Sequence, residues 1–148
     1  MIRLILPILV LMSTPVLAAE PIKVSADNFV IEEATSTATF TGNVVVTSEG
    51  LELTATKVVV RYGGGGVEDI RSFDATGNVN IETEGQTASG SRAVYDPTTQ
   101  VLTMTGDVEV KNEAGTVTSS ELTVNLRTNT TKFEGGGGNR VTGVFTPQ

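Results

Sequence analysis

Apolar and polar residues alternate around three short motifs, Thr41-Gly42-Asn43-Val44, Thr76-Gly77-Asn78-Val79 and Thr105-Gly106-Asp107-Val108. Around the first, Ala38, Phe40, Val44 and Val46 take one parity and Thr39, Thr41, Asn43, Val45 and Thr47 the other. Around the second, Phe73, Ala75, Val79 and Ile81 alternate with Asp74, Thr76, Asn78, Asn80 and Glu82. Around the third, Leu102, Met104, Val108 and Val110 alternate with Thr103, Thr105, Asp107, Glu109 and Lys111. Period-two patterning of this length predicts strands with one buried and one wet face. Val45 alone breaks the wet side.

A second strand pattern follows each glycine, anchored 15 residues later at Lys57, Arg92 and Glu121. Before each anchor the inward residues are Leu53 and Ala55, Ala88 and Gly90, Val117 and Ser119. After it the parity flips, to Val58, Val60 and Tyr62, to Ala93 and Tyr95, and to Leu122, Val124 and Leu126. A flip at one repeated position predicts a β-bulge or a sharp strand bend. The segment Lys23–Ile31 fits the same template with Asn28 as anchor, Val24 and Ala26 before it, Phe29 and Ile31 after it.

Anchors at 28, 57, 92 and 121 are spaced by 29, 35 and 29 residues, so the chain is an internal repeat of about 29 residues with two strands per unit. The longer middle interval contains the loop Gly63–Gly66. Gly135–Gly138 reads as another loop, followed by a last strand from Arg140 to Phe145. Two columns are small, Gly42, Gly77, Gly106 and Gly135, and Ala26, Ala55, Gly90 and Ser119. Placed inward by parity, they predict either a sheet creased along a seam with an apolar trough, or bulge residues in a dry sandwich.

Composition agrees with an all-β chain. Of 148 residues, 23 are Thr and 20 are Val, β-branched types that suit pleated strands. The absence of Cys, His and Trp excludes disulfide frameworks, Cys/His zinc sites and nucleophile–histidine triads. A net charge of -7 argues against nucleic acid as partner.

Met1–Arg3, the apolar run Leu4–Met12 and the small residues before Ala19 have the layout of a signal peptide cut after Ala18. The apolar stretch is shorter than the roughly 20 residues of a membrane-spanning helix. A single domain over 19–148, exported and carrying 9 basic against 17 acidic residues, is the expected product.

Other motifs carry little. Gly63–Gly66 lacks the Gly-Lys-Ser/Thr of a phosphate loop. Glu32-Glu33 and Glu68-Asp69 read as solvated turn residues, and Asn129-Thr130-Thr131 is a short glycosylation match. Asp27, Asp96 and Asp107 belong to no calcium-loop pattern. No catalytic residue, metal ligand or cofactor is expected.

The segments Val24–Ile31 and Ala38–Val46, and the continuation through the later glycine motifs, Ala88–Tyr95 and Val117–Leu126, resemble the LptA/OstA-like family of periplasmic lipopolysaccharide-transport proteins. The resemblance implies a twisted, V-shaped β-jellyroll of antiparallel strands. It also implies a non-enzymatic bridge between an LptC-like inner-membrane component and an LptD-like outer-membrane component, with lipid A acyl chains carried inside.

The residues supply a compatible surface. Phe29, Ile31, Phe40, Val44, Phe73, Val79, Ile81, Tyr95, Leu102, Met104, Val108, Leu122 and Val124 make one apolar inner face. Acyl burial asks for little else, since it is non-directional and worth about 25 cal/mol per Å². Lys57, Arg61, Arg92 and Arg127 are candidates for meeting lipid phosphates, against the plain reading of solvated surface charges. Free edges at Val24, Ala26 and Asn28, and at Val141 and Phe145, suit strand addition and head-to-tail self-association. Two other readings stand beside this one: a structural repeat protein whose inner face is a sealed core, and a membrane-tethered LptC-like subunit.

Overall fold

The computed structural model describes residues 22–147 apart from residue 49, so the expected signal segment 1–18 lies outside the described residues. Among the described residues ten strands form one sheet: β1 Lys23–Ser25, β2 Asn28–Glu32, β3 Thr37–Ser48, β4 Leu51–Tyr62, β5 Ile70–Thr83, β6 Gln86–Asp96, β7 Val101–Asn112, β8 Gly115–Asn125, β9 Thr130–Glu134 and β10 Thr142–Phe145. A 3-10 turn, Gly66–Glu68, interrupts the β4–β5 connection.

From β2 to β9 each strand pairs antiparallel with the next, while β1 pairs antiparallel with β3 and β10 with β8. Short side-chain-stabilised turns make this possible. Asp96, Asn112 and Asn125 each accept two backbone N–H bonds two and three residues on, holding three of the hairpins.

Both edges are broken strands. β1 and β2 lie end to end along β3, interrupted at Ala26 and Asp27, where one strand over Lys23–Ile31 was expected. β9 and β10 lie end to end along β8. The last strand begins at Thr142 rather than Arg140, because Gly135–Val141 loops out between the two pieces.

The parity flip sits where the repeat puts it. Ala55 and Val58, three residues apart, are both buried, with exposed Thr56 and Lys57 between them. Register shifts fall at the same level from strand to strand, between Thr41 and Val44, Thr76 and Val79, and Thr105 and Val108. The extra residue belongs to the glycine strand and not to the anchor strand: Gly42 and Asn43 together oppose Thr56. This line of bulges curls the sheet without closing it. The curl covers the inner face so fully that Val44 and Met104 are 0% exposed, which one open sheet face cannot achieve alone.

The glycine column does not face the interior, as simple alternation predicted. Gly77 has φ +82, and a Cβ there would overlap Thr56, an outward residue of β4. Thr56 Oγ1 donates to the Gly77 carbonyl at 3.2 Å, and Ser91 Oγ donates to the Gly106 carbonyl at 3.3 Å. Gly77 and Gly106 are therefore small to admit hydroxyls on the outer face, and Gly42 to admit the Asp27 carboxylate. The second column is the inward one: Ala55 and Ser119 are buried, and Gly90 lies against Met104.

Candidate functional site

The inner face divides in two. Val44, Val79, Ile81, Met104, Val108 and Leu122 are sealed in the core, with Val58, Ala75, Ala93 and Val110. One continuous open trough was expected along these positions. In this structure the curl of the sheet covers its middle.

The N-terminal end stays open as a groove of about 380 Å³. Its lining is Ile22 and Val24, Phe29 and Ile31 from β2, Ala38 and Phe40 from β3, Val60 and Tyr62 from β4, and Ile70 and Phe73 from β5. Phe29 and Phe40 oppose each other across β2 and β3 and stack with ring centroids 4.4 Å apart. Phe29 remains 53% exposed and Ile31 48%, because among the described residues β2 pairs only with β3. Phe73 leans on Tyr95 at 6.4 Å. Tyr95, Leu102 and Val124 are half-buried and do not reach the groove.

Four of the thirteen inner-face residues therefore line the groove. Alternation had also turned Val60 and Tyr62 inward without assigning them a role. Ile70 gave no signal, since by strict alternation it faces away from Phe73. The register explains its position: Arg61 opposes Ser72 while Tyr62 opposes Ile70, leaving Arg71 as an extra residue that returns Ile70 to the inner side.

Among the described residues no charged side chain lines the groove. The cations considered for phosphate contact lie elsewhere. Arg92 grips both oxygens of Asp74 at 3.0 and 2.6 Å, and Arg61 approaches the same carboxylate at 3.9 Å. That bonding holds the Arg92 guanidinium above its ordinary pKa. Asp74 is the outward neighbour of Phe73, so this cluster is on the wet face. Its side chain is only 13% exposed. Lys57 is also on the wet side of the crease, and Arg127 donates to the Thr98 carbonyl at 3.1 Å, tying two turns together. Among the described residues no cluster of three carboxylates suits a metal ion.

At the opposite edge Val141, Val144 and Phe145 are exposed on or beside β10. Both edges thus present apolar side chains beside free backbone.

Residues 23–130 match the family model described as LptA/(LptD N-terminal domain) LPS transport protein. The chain belongs to this lipopolysaccharide-transport family. It is 28% identical over 134 residues to the lipopolysaccharide export system protein LptA of Haemophilus influenzae, covering 86% of this chain and 78% of that protein. An uncharacterized Rhizobium meliloti protein is 30% identical over 126 residues, covering 80% and 68%. The fold matches the crystal structure of LptH, the LptA-homologous periplasmic component of the lipopolysaccharide transport device of Pseudomonas aeruginosa. There the TM-score is 0.73 at 20% identity, over 86% of this chain and 96% of that one. The all-β architecture read from the alternation, and the LptA-like form implied by the resemblance, are the ones found.

Proposed function

We propose that this chain is a periplasmic carrier and bridge for lipopolysaccharide, shielding lipid A acyl chains against the inner face of its sheet. The observation that carries the reading is the open groove at the β2 edge, lined among the described residues by apolar side chains with the Tyr62 hydroxyl as the one polar side-chain group. Acyl chains begin at Phe29, Phe40 and Phe73, and the sealed middle admits them only when the unclosed sheet uncurls. The LptC-like component adds to the β1–β2 edge and the LptD-like component to the β9–β10 edge. Copies of the chain join head to tail through the same two edges.

Photo-crosslinking in cells tests this. A photoreactive residue at Phe40 or Phe73 captures lipopolysaccharide, while the same probe at Thr41, Asp74 or Thr105 does not. A probe at Met104 reports the middle and reacts only if the sheet opens during transport. Equal yields on both faces overturn the reading. Intact-mass measurement of the exported protein separates a chain cleaved after Ala18 from an LptC-like, membrane-tethered one.

A further inference from the structure

The β4–β5 connection is where this chain departs from its own repeat, and it joins two groove residues, Tyr62 and Ile70. The connection is folded back on itself. Gly63 N–H donates to the Asp69 carbonyl at 2.8 Å, Gly66 N–H to the Gly63 carbonyl at 3.1 Å, and Asp69 N–H to the Gly66 carbonyl at 2.9 Å. Asp69 and Arg71 then form a two-pronged pair, Nε to Oδ1 at 3.1 Å and Nη2 to Oδ2 at 3.0 Å. A Cβ at Gly63 would run into both partners of that pair, so glycine there leaves the two side chains room to meet as they do.

Arg71 is also the extra residue that puts Ile70 into the groove. The pair therefore spans Ile70 from both sides in sequence and fixes the bulge that aims it. We propose that Asp69 and Arg71 are positioning residues for the groove, acting through Ile70 to form its rim on the β5 side. This rests on the reading of the groove as the acyl-binding site and adds which residues shape it.

A binding cycle tests the assignment. The full chain is titrated with a dansyl-labelled fatty acid, with purified lipid A as competitor, at a temperature where each variant keeps its β-sheet spectrum. Ile70→Ala weakens binding roughly tenfold, the effect of removing a few buried methyl groups. Asp69→Ala weakens it about fourfold, one methylene's worth of contact. Arg71→Ala, which breaks the same pair from the other end, does the same. Asp69→Ala combined with Ile70→Ala is no weaker than Ile70→Ala alone, because the pair acts through that side chain. Effects that multiply, to roughly fortyfold in the double variant, overturn the assignment while leaving the groove intact. If the unmodified chain takes up neither probe nor lipid A, the groove reading fails and this one with it.

Discussion

The sealed middle of the sheet and its open N-terminal end are built from the same alternation of apolar and polar residues. Val44, Val79 and Met104 differ from Phe29, Phe40 and Phe73 in what covers them, not in which way they point. Each middle residue lies on a strand with neighbours on both sides and beneath the curl. Phe29 and Ile31 lie on an edge strand only five residues long. Side-chain parity is a local property of one strand, whereas cover is a property of the whole curl. A sheet face can therefore be a core along part of its length and a binding surface at its end.

The contrast is broken most directly by truncation. Met104→Ala removes a fully buried side chain and is expected to cost about 2–5 kcal/mol of stability, since little can collapse into the space. Phe73→Ala, at the half-buried groove wall, is expected to cost roughly 1–2 kcal/mol in transfer and contact terms. In binding the order reverses: Phe73→Ala weakens acyl-probe uptake and Met104→Ala leaves it. Urea unfolding and probe titration on the same two variants check both halves. Equal losses of stability would mean that the groove is closed in solution.

The bulge line that produces the curl comes next. Gly77→Val places a β-branched side chain at φ +82 and into Thr56, with an expected loss of about 1–3 kcal/mol from overpacking. Backbone strain at a left-handed position adds about 1–2 kcal/mol more. Thr76→Val, beside it on the wet face, is expected to stay within about 0.5 kcal/mol. Similar unfolding midpoints for the pair would remove the bulge as the source of the curl.

Much of this was legible in the residues. The alternation placed the long strands, and the three-residue spacing of Ala55 and Val58, or Leu122 after Ser119, announced the crease. Which strand carried the extra residue was not legible, because Gly42 and Asn43 keep the parity of β3 while doubling up against Thr56. The outward turn of the glycine column depends on φ near +82, which a parity count does not contain. Ile70 was missed because the extra residue Arg71 reverses the parity between it and Phe73, and nothing in the alternation marks Arg71 as extra. Cover was the other loss: Val44 and Phe40 have equivalent local sequence but different opposing surfaces.

The β2 edge separates the two regions in a third way, with a smaller effect on stability and a large one on assembly. Asp27 N–H already donates to the Gly42 carbonyl at 2.9 Å, so it faces β3. By antiparallel alternation the N–H groups of Asn28, Val30 and Glu32 face outward. Val30→Pro removes one of these without breaking a bond inside the chain, and proline is tolerated at an edge. The expected variant folds and binds the acyl probe but no longer forms head-to-tail oligomers in light scattering or captures an LptC-like partner. Unchanged oligomers would rule out strand addition at this edge.

The smallest expected effect belongs to the loop that borders the groove. Hydrogen bonding to Arg71, opposed by partial desolvation and aided by Gly65 N–H, holds the Asp69 carboxyl below its ordinary value of 3.8. A carboxyl whose folded value is depressed stabilises the fold above its unfolded pKa and loses that contribution as pH falls through the folded value. The contribution is therefore complete near neutrality and disappears only in acid, below about pH 3.8. Asp69→Asn keeps the shape and an acceptor for Gly65 but has no charge to lose. The difference in urea midpoint between the unmodified chain and Asp69→Asn should be small and constant from neutrality to about pH 5, then narrow as acid protonates Asp69. Because the pair is exposed, the same difference should shrink in high salt. A difference that is flat across the acid range would mean that the Asp69–Arg71 pair does not hold the loop, and with it the rim of the groove.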